Sequence, residues 1–278
     1  MRNPILYNTN GFAFHRLDDA ARILAALGYD GIAWTPDVHH LDPFHASAAE
    51  FDAFRDLCRE LALCVVVETG ARFVLDPLRK HRPSLLDAPA DAERRFDFLR
   101  RCVDAAALLG AGVVSTWSGS APDGLDPDAA LDRLATGLRR LCDHAKGYGI
   151  RIGFEPEPGM AVETVEGWDR VRDAVGHEGL GLTLDVGHCL ATREGDPARI
   201  LRRHADEIVV LQVDDHRAGR HDHLMFGEGE VNWPSLAEAV RASGYAGPIE
   251  VELSRHSSEA PAAARRSIDF LRATFASP

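Results

Sequence analysis

Four β-like segments of the chain each end at, or next to, a side chain that can bind a metal ion. The side chains are Glu155 in IGFEPEPG, Asp185 in LTLDVGH, Gln212 in IVVLQVDDH and Glu252 in IEVELS. Alternate side chains of a strand face opposite ways, so in each segment these polar groups lie on the face away from the apolar residues. Three carboxylates and an amide oxygen form a hard to borderline ligand set, which suits Mn²⁺ or Mg²⁺ better than a thiolate-binding ion.

Carboxylates near strand ends have an alternative role, since each alone could cap a helix or pair with an arginine. Several uncompensated carboxylates that converge would repel and raise one another's pKa, and a bound cation is the simplest way to stabilise them. The four residues together therefore predict one divalent-metal site, with waters or substrate oxygens completing the coordination.

The elements that would position these residues follow a regular alternation. Short apolar runs alternate with longer amphipathic stretches, which is typical of parallel βα units. The predicted strands cover residues 5–10, 31–37, 64–70, 113–119, 151–156, 181–187, 208–215 and 248–254. The predicted helices cover residues 18–27, 47–61, 92–109, 127–148, 164–175, 197–205, 234–243 and 261–275. No linker divides the chain, so we predict one α/β domain over residues 1–278, a closed (β/α)8 TIM barrel with its active site at the C-terminal ends of the strands.

Composition limits the partners and the location that we expect. The 278 residues include 43 acidic and 31 basic side chains, a formal charge of −12, which disfavours nucleic acid as a partner. Five cysteines without a CxxC pair indicate neither a disulfide framework nor a thiolate zinc site. No signal-peptide pattern or membrane-spanning apolar run is present, so we expect a cytoplasmic protein without a membrane partner.

Five motifs in order between residues 154 and 254 resemble the xylose isomerase-like TIM barrel family, and the resemblance covers most of the chain. The family includes ketose 3-epimerases, inosose isomerases and dehydratases, and 3-dehydroshikimate dehydratases. The motifs are FEPEPG, LDVGH, LQVDDH, HDHLMFGEGEVNW and IEVELS. The resemblance implies that Glu155, Asp185, Gln212 and Glu252 bind a single divalent ion and that His188 contacts the substrate. Many epimerase-like members have a histidine where this chain has Gln212, whereas dehydroshikimate dehydratase-like members with glutamine are known. An oxygen donor in place of nitrogen favours Mn²⁺, with Mg²⁺ or Co²⁺ as alternatives and Zn²⁺ less suited.

Other polar side chains near the predicted strand ends are candidates for substrate binding. These substrate-binding candidates are His188, Glu157, Arg217, His223 and Glu68. Each has a structural alternative: Glu157 could form a salt bridge, and a loop histidine such as His223 could be solvated. The long connection 71–91 carries Arg72, Lys80, His81 and Arg82, which either bind a substrate anion or lie in solvent.

A histidine cluster in the loop after the seventh strand raises the question of a second metal. His216, His221 and His223 lie close in sequence to Asp214, Asp215 and Asp222. The family resemblance implies a lone ion with supporting contacts instead. The following FGEGEVNW segment indicates a tight turn and a helix start, with an architectural role.

A divalent ion, two glutamates and a histidine at a barrel mouth suit chemistry at a carbon next to a carbonyl. We expect an isomerase or epimerase acting on a ketose, inosose or related keto-sugar through an enediolate, with Glu155 and Glu252 as the acid/base pair and His188 assisting. A metal-dependent dehydratase is the alternative, because loss of a β-hydroxyl from the same intermediate gives elimination. An endonuclease IV-like phosphodiesterase or a non-catalytic binding barrel fits less well. The resemblance also implies a homodimer or homotetramer.

Overall fold

The computed structural model describes residues 3–275, and its strands form a closed barrel. Eight parallel strands pair in chain order, and the eighth pairs with the first. They are β1 (Ile5–Asn8), β2 (Gly31–Trp34), β3 (Cys64–Glu68), β4 (Val113–Trp117), β5 (Arg151–Glu155), β6 (Leu180–Asp185), β7 (Ile208–Val213) and β8 (Ile249–Val251). The predicted (β/α)8 barrel is confirmed.

Helices follow the strands and cover the outside of the barrel. They are α1 (Leu17–Leu27), α2 (Ala48–Glu60), α3 (Pro89–Leu109), α4 (Pro127–Lys146), α5 (Val165–Val175), α6 (Val186–Ala191), α7 (Pro197–His204), α8 (Trp233–Ser243) and α9 (Ala260–Phe275). Helix starts follow local signals: Ser47 and Glu50 form a reciprocal capping box at α2, and Asp126 caps α4 ahead of Pro127. Among residues 3–275, no helix has the length and apolar character that a bilayer crossing needs.

Helix α6 is an element that the apolar pattern of the sequence does not indicate. It has six residues, too few for a helical period to be visible. It begins directly after β6 because the Asp185 side chain accepts a hydrogen bond from the His188 backbone N–H at 2.8 Å. One predicted metal ligand therefore also caps a helix.

Several strands end earlier than the sequence predicts because helical turns begin at the barrel rim. Strand β1 ends at Asn8, where the 3-10 helix Thr9–Phe12 begins. Strand β8 ends at Val251, and the 3-10 helix Ser254–Glu259 follows. Glu252 therefore lies just beyond its strand, although its backbone N–H still bonds Val213 O at 3.2 Å.

Two separate apolar clusters explain which strand face carries the chemistry. The larger cluster includes residues such as Phe154, Leu184 and Leu211, which face the helices. The smaller one lies inside the barrel and consists of Leu6, Ala33, Val66, Val209 and Val210. Two residues further along three of these strands, the same inward face carries Asn8, Glu68 and Gln212. The barrel interior therefore changes from apolar to polar towards the C-terminal ends of its strands.

Candidate metal centre and active site

A cavity of about 640 Å³ opens at the C-terminal ends of the strands. Its lining includes five of the predicted site residues, namely Glu68, Glu155, Glu157, His223 and Glu252. The structure therefore brings together side chains at or just beyond the ends of β3, β5 and β8 and from the loop after β7. This is the face of a barrel on which enzymes of this fold place their active sites.

Glu155 and Asp185 lie next to each other and beside His188. Glu155 ends β5, and its Oε1 is 3.3 Å from His188 Nδ1. Asp185 ends β6 and directs Oδ1 to the His188 backbone N–H, whereas its Oδ2 has no hydrogen-bond partner. One ligand atom from each of the three residues lies within 4.8 Å of the others, a spacing that could hold a metal ion.

Gln212 and Glu252 complete the set of predicted ligands. Gln212 pairs with Asp185 across β6 and β7, it is buried, and neither atom of its amide group makes a hydrogen bond within 3.5 Å. Glu252 is half-buried at the cavity wall, and its Oε1 accepts a hydrogen bond from Asn10 Nδ2 at 2.9 Å. Their roles as ligands stay predictions.

The predicted carboxylate ligands of the cavity form no direct ion pair with a lysine or arginine of residues 3–275. Burial, followed by repulsion from Glu252, raises the pKa of Glu155 well above its ordinary value. Burial and repulsion from Asp214 do the same to the pKa of Asp185. Among the described residues, no lysine or arginine forms an ion pair with Glu155, Asp185 or Glu252. Buried polar groups normally have partners, so the free Asp185 and Gln212 atoms fit a divalent cation.

A second pair of carboxylates, Glu68 and Glu250, lies deeper in the barrel. Burial and repulsion from Glu250 raise the pKa of Glu68 well above its ordinary value, and burial with repulsion from Glu252 raises that of Glu250 to about 8. Each has one oxygen without a hydrogen-bond partner. Glu250 has the strand parity of Glu252, so its inward position follows from the alternation of side chains along β8.

Two asparagines, Asn8 at the end of β1 and Asn10 in the 3-10 helix that follows, support these carboxylates and are not among the residues predicted from the sequence. Asn8 donates to Glu250 Oε1 at 2.9 Å and accepts from the Thr35 hydroxyl at 2.6 Å. Asn10 donates to Glu252 Oε1. Their signal in the sequence is the pair of amides in NTN, directly after the first apolar run.

The remaining candidates for substrate binding separate into those that reach the cavity and one that does not. Glu157 lines it, and burial with repulsion from Glu252 raises the pKa of Glu157 to about 7. Arg217 instead lies at the surface, 3.3 Å from Asp222, and is not part of the cavity wall. Arg255, which no motif of the sequence indicates, lines the cavity.

The long connection between β3 and α3 contributes to the cavity through Arg72, Lys80 and His81. Arg72 bonds Asn10 O at 2.6 Å and lies 3.2 Å from Asp37. The His81 ring packs edge-on against Trp117, with ring centroids 5.3 Å apart. Arg82 pairs with Asp87 at 2.9 Å and is not among the lining residues. The basic residues of this loop thus divide between the cavity wall and the loop itself.

Comparison with protein families places the chain among barrels of this architecture. The sequence profile described as "Xylose isomerase-like TIM barrel" matches residues 21–274. The chain is 30% identical over 266 residues to the 3-dehydroshikimate dehydratase of Pseudomonas aeruginosa, an alignment that covers 92% of this chain and 39% of that protein. This chain therefore spans only about two-fifths of the length of that relative.

Two further similarities extend over nearly whole proteins. The chain is 25% identical over 260 residues to the L-ribulose-5-phosphate 3-epimerase UlaE of Salmonella paratyphi B, which covers 92% of this chain and 89% of that protein. The crystal structure of the IOLI protein with a bound zinc atom superposes with a TM-score of 0.80 at 17% identity and covers 98% of both chains. At that identity, the structural likeness shows the fold alone.

Proposed function

We propose that this chain, which belongs to the xylose isomerase-like TIM barrel family, is a metal-dependent sugar isomerase or epimerase. It would remove the proton from a carbon next to the carbonyl group of a ketose, inosose or related keto-sugar. Both the dehydratase and the epimerase to which it is similar carry names of enzymes that act on such polyhydroxylated compounds.

One observation carries this proposal: Glu155 and Glu252 line the same cavity from β5 and from the end of β8. Burial raises the pKa of each carboxylate, which makes each a stronger base than an exposed glutamate. Because they come from the ends of different strands, one carboxylate can face one side of a bound carbon and the other carboxylate the opposite side. Return of the proton to the opposite face gives epimerisation, and return to the neighbouring carbon gives isomerisation.

Neighbouring residues fix the orientation of this pair. Asn10 Nδ2 holds Glu252 Oε1 at 2.9 Å, and His188 Nδ1 lies 3.3 Å from Glu155 Oε1. Glu155, Asp185, Gln212 and Glu252 would hold the cation, which supplies positive charge beside the substrate carbonyl oxygen when bound. Glu157, with its pKa of about 7, can hold a proton at the same wall.

The test is exchange of substrate C–H in D₂O, followed by NMR over a panel of ketoses, inososes and keto acids in the presence of Mn²⁺. The wild type should exchange one C–H next to the carbonyl. Glu155→Gln and Glu252→Gln should each lower turnover by about 10³-fold, since loss of an acid/base group removes that order of catalysis. The matched control is Glu238→Gln on the exposed side of α8, which should leave turnover unchanged. Wild-type turnover in either cavity variant would refute the paired-carboxylate assignment.

Dehydration is the second candidate function, and Gln212 is the observation that favours it. Its amide oxygen replaces the histidine nitrogen of many epimerase-like members, and the relative at 30% identity is named a dehydratase. The substrate would then be an inosose or 3-dehydroshikimate, and His188 would protonate the departing hydroxyl. The same panel separates the two outcomes, because a dehydratase releases water and forms a conjugated carbonyl product, whereas an epimerase forms an isomer of equal mass.

The identity of the ion, the oligomeric state and the location stay predictions of this proposal. The oxygen-rich ligand set favours Mn²⁺, with Mg²⁺ or Co²⁺ as alternatives and Zn²⁺ less suited. A homodimer or homotetramer and a cytoplasmic location are expected. Elemental analysis of the purified protein and sedimentation in the native buffer would test the first two.

A further inference from the structure

The wall of the cavity carries positive charges as well as the carboxylates of the candidate metal centre. Its lysine and arginine side chains, among the described residues, are Arg72, Lys80 and Arg255. Arg72 and Lys80 come from the connection between β3 and α3, and Arg255 comes from the 3-10 helix after β8. The three cations differ in how far other side chains already neutralise them.

Arg72 has a counter-ion, whereas Lys80 and Arg255 have none. Arg72 Nη1 lies 3.2 Å from Asp37 Oδ2, and Arg72 Nη2 donates to the Asn10 carbonyl oxygen at 2.6 Å. Within residues 3–275, no carboxylate oxygen lies within 4.0 Å of the Lys80 ammonium or the Arg255 guanidinium. Two cations at the cavity wall are therefore available to a ligand with negative charge.

The two available cations approach the cavity from different loops. Burial raises the pKa of Glu157 to about 7, and the charge of Lys80 opposes that rise, so Lys80 lies near the Glu157 part of the wall. Arg255 Nη2 donates to the His221 carbonyl oxygen at 2.6 Å, which holds the guanidinium against the loop after β7. The remaining N–H groups of Arg255 are free for a ligand. Both cations lie beyond the strand ends, outside the predicted metal ligands.

A buried cation behind the same wall also lacks a counter-ion. Arg95 of α3 is 1% exposed, its Nη2 donates to the Thr69 carbonyl oxygen at 2.8 Å, and its Nη1 has no hydrogen-bond partner. Its guanidinium carbon lies 4.6 Å from the centroid of the Trp117 ring, which lines the cavity. Burial lowers the pKa of Arg95 to about 10, so the side chain stays charged at neutral pH. A buried charge without a counter-ion is costly, and an anion in the cavity would reduce that cost.

The titration of His81 reports the positive potential at this part of the wall. Burial and the charge of Lys80 lower the pKa of His81 to about 4, and the charge of Arg95 acts in the same direction. Its Nδ1 contacts the Gly70 carbonyl oxygen, so the neutral ring has one nitrogen left to accept a hydrogen bond. The wall thus offers cations and a neutral acceptor, whereas the predicted metal ligands offer carboxylates.

We propose that the substrate of this cavity is an anionic keto-sugar, with a carboxylate or a phosphate group that Lys80 and Arg255 bind. This inference rests on the proposed function, because it concerns the substrate of the same site. Lysine and arginine form charge-assisted hydrogen bonds with both kinds of oxyanion. The carboxylates at the strand ends repel an anion, so the charged group binds at the loops and the keto group lies towards the metal centre. The two ends of the substrate are thereby distinguished by charge.

The experiment compares two matched pairs of ligands on the full chain loaded with Mn²⁺. One pair is 3-dehydroshikimate and its methyl ester, and the other is ribulose 5-phosphate and ribulose, so a single member of each pair is charged. Calorimetry measures the Kd of each compound at low and at high salt. The charged member of at least one pair should bind about 10-fold more tightly or better, the contribution of one charge-assisted hydrogen bond, and salt should weaken that member alone. The pair that shows the preference identifies the anion. Equal affinities within both pairs, or no binding by either charged member, would overturn the proposal.

Neutral variants assign the preference to particular side chains. Lys80→Gln and Arg255→Gln should each lower the affinity for the charged member by about 10-fold and leave the neutral member within a few-fold of the wild type. Arg79→Gln is the matched control, since it removes an exposed cation next to Lys80 that is not part of the cavity wall. An equal loss for both members of a pair would contradict binding through charge. If Arg255→Gln disturbs the loop after β7, Lys80→Gln still decides the outcome.

The binding measurement is independent of turnover, so the two proposals can fail separately. C–H exchange with neutral ketoses alone, without preference for either charged ligand, would leave the proposed reaction intact and refute the anionic substrate. Preference for a charged ligand that shows no C–H exchange would refute the proposed reaction and keep the anion-binding role of Lys80 and Arg255.

Discussion

The buried carboxylate Asp215 in the loop after β7 differs from the buried carboxylates of the strand ends in the donors that surround it. In the loop after β7, Asp215 accepts hydrogen bonds from the backbone N–H groups of Gly227 at 2.8 Å and Val231 at 3.0 Å and from Trp233 Nε1 at 3.2 Å. Asp185 at the end of β6 and Glu250 inside the barrel each have one oxygen without a hydrogen-bond partner. Burial alone therefore does not mark a functional carboxylate. N–H donors reach both oxygens of Asp215, whereas Asp185 and Glu250 each have one oxygen whose charge a cation could neutralise.

Removal of the metal ion should have the largest effect on turnover. It should affect the carboxylates at the C-terminal ends of the strands and not Asp215 in the loop after β7. Dialysis against a chelator should lower turnover by about 10³-fold or more, since a Lewis acid contributes several kcal/mol of transition-state stabilisation, and Mn²⁺ should restore it. The assay uses whichever substrate of the panel is turned over, with circular dichroism to verify that the fold is kept. Full activity in metal-free protein would show that the oxygens without hydrogen-bond partners do not bind a cation that the reaction needs.

Asp215→Asn should destabilise the loop after β7 and leave metal binding at the strand ends intact. The amide NH₂ would face N–H donors, so at least one buried hydrogen bond is lost and the free energy of unfolding should fall by about 2–4 kcal/mol. Urea unfolding at pH 7 measures this change, with exposed Asp206→Asn as the control. Mn²⁺ affinity should stay within a few-fold of the wild type. If Mn²⁺ binding were lost while stability was kept, Asp215 would belong with the mouth carboxylates.

A smaller effect is expected in the pH dependence of the free energy of unfolding, and it arises from the buried glutamates inside the barrel. The pKa of Glu250 in the folded protein is raised to about 8, whereas an unfolded glutamate titrates near about 4.3. The metal-free fold therefore binds more protons than the unfolded chain between these values. Its stability should be greatest below the unfolded pKa and fall by on the order of 2 kcal/mol as the pH rises from 5 to 8.

Thermal unfolding of chelated protein across this pH range measures that trend. Saturating Mn²⁺ should flatten or reverse it, because the cation stabilises the ionised carboxylates at the mouth. A metal-free protein that becomes steadily more stable up to pH 8 would contradict the electrostatic description of the cavity.

Much of the fold was accessible from the sequence, and so was part of the candidate site. Alternation of apolar runs and amphipathic stretches predicts all eight βα units, and strand parity correctly separates Phe154 and Leu211 from the inward residues. The same parity rule places Glu250 inside the barrel, but it does not show which of Glu250 and Glu252 reaches the cavity. Arg217 illustrates the opposite limit: nothing in its sequence context shows that it turns to Asp222 and away from the cavity.

By itself, the sequence determined the barrel and the polar strand ends, because hydrophobic periodicity is local and each strand's parity follows from its own residues. Only the tertiary structure decided which donors reach which carboxylates. It placed Asn10 of the first strand's end against Glu252 of the last, and it brought His188 to His221 from a different loop. Such contacts join residues far apart in the chain, and they depend on barrel closure and loop paths that no local pattern encodes.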